Sequence, residues 1–172
     1  MKKPSWKQLK PAFTLLEALL AAAVLAMAIT AILMPFTAGT QQEQVDARRT
    51  LAVNLAEEMM EEILAKPFRD PDGATSPGPE PGETSRSEFD NLDDYDGYTE
   101  PEGGVTSFDG GIVSDPAAVG LSRYVSAGYV YVSGQDTAEE PTFVRVCLVI
   151  KFRGSPVVTL TRLVYDLNGE EG

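Results

Sequence analysis

The chain has 172 residues, with 26 acids against 14 bases and a net charge of −12. It has no histidine and one cysteine, Cys147, which excludes imidazole acid–base chemistry, Ser-His or Cys-His nucleophiles, His-ligated zinc, CxxC redox pairs and any intramolecular disulfide. The acidic balance also argues against direct nucleic-acid binding, which rests on clustered Lys and Arg.

In chain order, residues 1–12 hold Lys2, Lys3, Lys7 and Lys10 and no acid, so this basic leader carries +4 and the remainder −16. A basic flank before an apolar run sets a cytoplasmic N-terminus and places the rest of the chain outside the cytoplasm. The run at 13–34, FTLLEALLAAAVLAMAITAILM, has 19 hydrophobic residues in 22. As a helix it would reach about 33 Å, enough for a bilayer core of roughly 30 Å. Glu17 is the exception within it, and an ionisable group there costs on the order of 2.5–3.5 kcal/mol unless it is paired or snorkels to the interface. A secretory signal with an A-x-A site at Ala26-Met27-Ala28 is the competing interpretation. The glutamate inside the apolar region and the length of the run favour a permanent anchor.

The segment Lys10-Pro11-Ala12-Phe13-Thr14-Leu15-Leu16-Glu17-Ala18 resembles the cleavage and methylation signature of type IV prepilins and of the pseudopilins of type II secretion. The resemblance covers about 25 residues and departs from the family pattern at Ala12, where Gly is commoner. It implies that prepilin peptidase cuts between Ala12 and Phe13 and methylates the new Phe13 amine. Glu17, fifth in the mature chain, would then meet the terminal amine of a neighbouring subunit during assembly. The implied partners are prepilin peptidase, other pilin or pseudopilin subunits and the inner-membrane assembly platform. The family's frequent C-terminal disulfide loop cannot form with one cysteine.

Beyond the apolar run, residues 35–66 are predicted to continue the helix, softened at Pro35 and Gly39. Ala52, Leu55, Ala56, Met59 and Ile63 recur at spacings of three and four, a stripe suited to packing on a sheet. The interleaved Glu57, Glu58, Glu61 and Glu62 are expected to face water. Lys66-Pro67 is the predicted stop.

Residues 67–120 form an acidic, turn-rich region. Positions 70–116 alone hold 13 acids, one base (Arg86), six prolines and eight glycines. Such a composition predicts loop, with little capacity to build core. Within it, Asp90, Asp93, Asp94 and Asp96 crowd beside Phe89, Tyr95 and Tyr98. Hard oxygen donors at short spacing suit Ca²⁺, and calcium sites in some pseudopilins add weight by resemblance. The spacing is not that of an EF-hand, because Leu92 falls at the first ligand position, and a solvated acidic loop is the competing interpretation.

The region 121–168 is predicted to be an antiparallel sheet. Arg123–Val132, Thr142–Phe152 and Pro156–Tyr165 are rich in β-branched and aromatic residues, with a tight connection at Arg153-Gly154-Ser155. Val144, Val146, Leu148, Ile150 and Phe152 share one face, which leaves Cys147 on the more exposed one. Together the elements predict an α+β fold, a long N-terminal helix packed on a C-terminal antiparallel sheet, as the pilin resemblance also implies. No constellation for catalysis is legible. The expected function is a structural subunit, a minor pilin or pseudopilin, held in the inner membrane by one span with its head outside. A membrane-anchored binding domain, calcium-dependent and never polymerising, is the alternative, and a secreted acidic protein a third.

Overall fold

The computed structural model describes residues 13–73, 77–134 and 142–165. The chain divides into two compact units, Met1–Glu43 and Gln44–Gly172. Helix α1, Leu15–Leu64, contributes to both and runs through Pro35.

In the first unit α1 is apolar all round and exposed on every side, with Leu15, Met27 and Met34 each more than 70% exposed. Its 18-residue window of highest mean hydropathy, 2.4, has none of its surface buried. A water-soluble helix hides an apolar stripe against a core. This one has no stripe to hide, and it is long and apolar enough to cross a bilayer. That is compatible with single-pass anchoring.

In the second unit the predicted stripe is the buried one. Ala52, Leu55, Ala56, Met59 and Ile63 are each 3% exposed or less, and Met60 joins them. Each of the larger side chains contributes about 1.5–3 kcal/mol by leaving water. The expectation for the interleaved acids holds at Glu57 and Glu61, which are exposed. It fails at Glu58 and Glu62, which are drawn in by partners in the following region.

The stripe packs on a four-stranded antiparallel meander, β1 (Thr99–Glu100), β2 (Leu121–Val130), β3 (Phe143–Phe152) and β4 (Ser155–Tyr165), in the order β1-β2-β3-β4. Alternation decides the faces. Leu121, Val125 and Ala127 on β2 and Val144, Val146, Leu148 and Ile150 on β3 are fully buried, while Arg145 and Cys147 turn to the outer face. The β3–β4 connection is the two residues Arg153-Gly154, both with positive φ (48° and 78°). That is the mirror turn whose twist matches antiparallel strands. Arg153 tolerates the left-handed region with its N–H bonded to Gly120 O at 2.9 Å.

The region between helix and sheet departs from the expected loop. Phe89, Leu92, Tyr95, Val105 and Ala118 all enter the core, and Asn91, Asp93 and Asp94 are buried with them. The physical reason is that the local backbone is closed by its own side chains. Asn91 Oδ1 accepts from the N–H groups of Asp93 and Asp94 (2.8 and 3.1 Å). Asp94 Oδ2 accepts from those of Asp90 and Asn91 (2.8 and 2.9 Å). This reciprocal closure shapes a 3₁₀ turn, Asp93–Tyr95, and lets its aromatic neighbours bury without orphaned amides. Phe89, Tyr95 and Tyr98 pack edge to face at centroid distances of 5.0–6.2 Å. The turn hangs from the end of α1, with Leu92 N–H donating to Pro67 O at 3.1 Å and Lys66 Nζ to Phe89 O.

Candidate functional site

Two regions carry chemistry, the start of α1 and the acidic segment of the head. At the first, Phe13 is exposed, and Ala12 with the rest of the basic leader lies outside the described residues. Thr14 caps the helix. Its Oγ1 accepts from Glu17 N–H at 3.3 Å, and its carbonyl accepts from Glu17 and Ala18 N–H at 3.1 Å each. Thr14-x-x-Glu17 is the spacing of a capping box. Glu17 therefore stands in the first turn, where the helix dipole favours a negative charge. Its side chain is exposed, available to a group outside this chain.

In the head, the four aspartates of the predicted calcium cluster do not act together. The Asp93 carboxylate accepts from Tyr129 OH on β2, and Asp96 Oδ1 accepts from Ala127 N–H at 3.0 Å. Both are committed to the sheet. Burial pushes the Asp93 carboxyl up, with the Tyr129 bond opposing, and burial and that same bond push the Tyr129 hydroxyl up. Asp94 Oδ2 accepts from the Asp90 and Asn91 amides instead, and one oxygen each from Glu80, Glu83 and Asp94 lie within 4.8 Å of one another. Glu80 and Glu83 were missed by sequence reasoning, although a signal exists: Pro81-Gly82 between them is the pair that a type II turn favours at its centre. The turn forms, with Glu83 N–H bonded to Glu80 O at 3.0 Å.

A second group of charges lies inside the head. Arg123 is 2% exposed and Glu100 5%. Arg123 Nε and Nη2 both reach Glu100 Oε2, at 2.8 and 2.6 Å, while Nη1 donates to Leu55 O on α1 at 3.0 Å and Nη2 to Thr106 O at 2.7 Å. Glu100 also accepts from Tyr98 OH at 2.9 Å and from Thr106 Oγ1. Nearby, Arg86 forks onto Glu62 of α1, with Nε 2.7 Å from Oε1 and Nη2 on Oε2. Tyr95 OH donates to Glu62 Oε1 at 2.7 Å. Burial alone would raise the Glu62 carboxyl, but Arg86 and Tyr95 outweigh it and hold it below the usual range. Burial followed by the Glu100 carboxylate pushes the Tyr98 hydroxyl up to about 12. The two arginines thus tie α1, β1, β2 and the acidic segment into one network.

The Glu62 shift gives a pH dependence with a definite sign. A carboxyl whose folded pKa is depressed adds stability above its unfolded value of 4.5, and the contribution is lost as pH falls through the folded value. Replacing Glu62 by Gln should cost about 1.5–3 kcal/mol at neutral pH, the range for hydrogen bonds to a charged group. Lys66, Arg86 and Tyr95 are the charged and titratable groups acting on Glu62. The gap between wild type and variant, measured by thermal unfolding, should narrow below pH 4.5. A gap that stays constant from about pH 7 to about pH 3 would show that the Glu62 charge is not the source.

No family model, curated protein or solved structure matches the chain.

Proposed function

We propose that this chain is a structural subunit of a type IV pilus or type II secretion filament, a minor pilin or pseudopilin. In this reading prepilin peptidase cuts between Ala12 and Phe13 and methylates Phe13, and the mature chain assembles from the inner membrane through α1. The head stands outside the cytoplasm.

One observation carries the reading: a single helix, Leu15–Leu64, is apolar and exposed on all sides in its first half and has one buried stripe in its second. Exposed apolar surface of that extent needs lipid or other helices to cover it. A lone glutamate near its start, exposed and capped by Thr14, leaves one acid within that surface to select a basic partner. In a low-dielectric setting such a pair sets register. The amine of the next subunit's Phe13 is that partner, and the inner-membrane assembly platform supplies subunits to the growing filament.

Mass spectrometry of the mature N-terminus tests it. N-methylated Phe13 is the expected result; an intact Met1 would favour the plain anchored binding domain, and a start near Ile29 a secreted protein. Glu17→Ala should insert normally and be processed, yet enter filaments about tenfold less, the factor set by losing about 1.4 kcal/mol of pairing. Unchanged incorporation of that variant would remove the role assigned to Glu17.

A further inference from the structure

We propose that the head binds an alkylammonium group in an open cavity between α1 and the loop 107–111, where Asp109, Tyr98 and Phe108 receive it. The site stands on the head alone, so it holds or fails independently of filament assembly.

The cavity has a volume of about 480 Å³, within the range that small ligands occupy. Glu62 of α1, Arg86, Tyr98, Thr106, Phe108 and Asp109 line it. Its rim is a closed turn. Ser107 N–H donates to Gly111 O at 2.9 Å and Gly110 N–H to Ser107 O at 3.0 Å, while Phe108 N–H reaches Glu58 Oε1 on α1 at 2.9 Å. That last bond fixes the backbone of a residue that is itself 69% exposed.

The donor inventory decides what the cavity can take. Arg86 spends four of its five N–H groups inside the head, two on Glu62, one on Thr106 Oγ1 at 2.9 Å and one on Ser107 O at 3.2 Å. The hydroxyl hydrogens are spent as well. Tyr98 OH and Thr106 Oγ1 both donate to Glu100. Ser85 Oγ, also on the lining, donates to Glu88 Oε2 at 2.9 Å, which makes Ser87 the donor in their 3.0 Å contact. Oxygen lone pairs remain. Asp109 Oδ1 accepts from Ser107 Oγ and the Gly111 N–H, and among the described residues nothing donates to its Oδ2. The Ser107 bond, then the Gly111 bond, hold this carboxyl below the ordinary range, so it is charged at neutral pH.

A cavity rich in acceptors and nearly out of donors fits a ligand that only donates. An ammonium group has three donors and no acceptor, whereas a sugar or a carboxylate needs donors from the protein. Charge agrees. Arg86 and Glu62 cancel as a pair, and Asp109 leaves the lining negative, within a segment, 70–116, that holds 13 acids and one base. Such a field draws in cations. Tyr98 and Phe108 add aromatic rings, beside which an exposed cation gains about two- to fivefold in affinity. One free carboxylate is too small a set for calcium, which takes roughly 6–8 oxygens.

The test uses the full-length protein in uncharged detergent micelles at constant ionic strength, with saturation-transfer NMR titrations of n-butylamine, Nα-acetyl-lysine methylamide and its Nε-acetylated analogue. Both amines should bind in the millimolar range, and the analogue, which keeps the length and loses the charge, should not. Tighter binding of the lysine derivative assigns the ammonium to a protein side chain; equal or tighter binding of butylamine assigns it to a free amine. Phe108→Ala and Asp109→Asn should each weaken binding about two- to fivefold. Neither should move the melting temperature, because Phe108 is exposed and Asn keeps the oxygen that accepts from Gly111. Glu57→Gln, at an exposed acid on α1, should leave binding unchanged. No saturation transfer to either amine, equal transfer to the analogue, unchanged binding in both cavity variants, or a loss in Glu57→Gln as large as in Asp109→Asn would overturn the proposal.

Discussion

Arg123→Ala is expected to destabilise the head by about 3–5 kcal/mol, the cost of removing one partner of a buried ion pair. Arg123 is the largest polar investment in the core. Its guanidinium joins β2 to Glu100 on β1, to Leu55 O on α1 and to Thr106 O. Truncation leaves Glu100 buried and charged, with Tyr98 OH, Thr106 and an Arg86 nitrogen 4.0 Å away as its remaining partners. The Leu55 and Thr106 carbonyls lose their arginine bonds at the same time. Loss of charge alone is tested by Glu100→Gln, which leaves Arg123 without its counter-ion. The informative comparison is the double variant Arg123→Met/Glu100→Leu, which replaces both charges by apolar groups of similar length. It should recover much of the loss, because a matched buried pair contributes little net stability over an apolar one. Thermal unfolding followed by the aromatic circular dichroism signal reads all four proteins. A cost below about 1 kcal/mol for Arg123→Ala would mean that the arginine is hydrated and the network unimportant.

The contrast between this network and the elements around it explains what the sequence could reveal. The stripe of α1 and the inward face of β3 were legible because a period of 3.6 or 2 is local: Leu55, Met59 and Ile63, or Val144, Val146 and Leu148, announce their face to any nearby core. The long apolar run was legible for the same reason. Glu100–Arg123 was not, since the two are separated by 23 residues and β1 is a two-residue strand, too short to show alternation. Asp93 and Asp96 read as calcium donors because their spacing is dense. Their partners, Tyr129 and Ala127, are 36 and 31 residues away. Likewise Glu62 sits among water-facing glutamates on its helix, and only Arg86 and Tyr95, 24 and 33 residues on, draw it inward. Composition correctly marked residues 70–116 as poor in apolar residues. It could not show that a few of them, Phe89, Leu92, Tyr95 and Val105, are enough to dock the segment.

That docking rests most on Tyr95, and Tyr95→Ala should cost about 3–5 kcal/mol, the range for emptying a large aromatic site. Tyr95 is the largest of the fully buried side chains. Its ring lies 5.0 Å from Phe89 and 6.2 Å from Tyr98, edge to face, so its removal also strips both neighbours of a contact worth about 0.5–1.5 kcal/mol each. The hydroxyl is separable from the ring. Tyr95→Phe keeps the packing and removes the donor to Glu62 Oε1, which still holds Arg86 Nε at 2.7 Å, so its cost should be only about 1 kcal/mol. Because the hydroxyl and Arg86 share one carboxylate, Tyr95→Phe and Glu62→Gln should be non-additive by about 0.5 kcal/mol or more in a double-mutant cycle. A Tyr95→Ala protein within about 1 kcal/mol of wild type would show that the acidic segment is not part of the folded core.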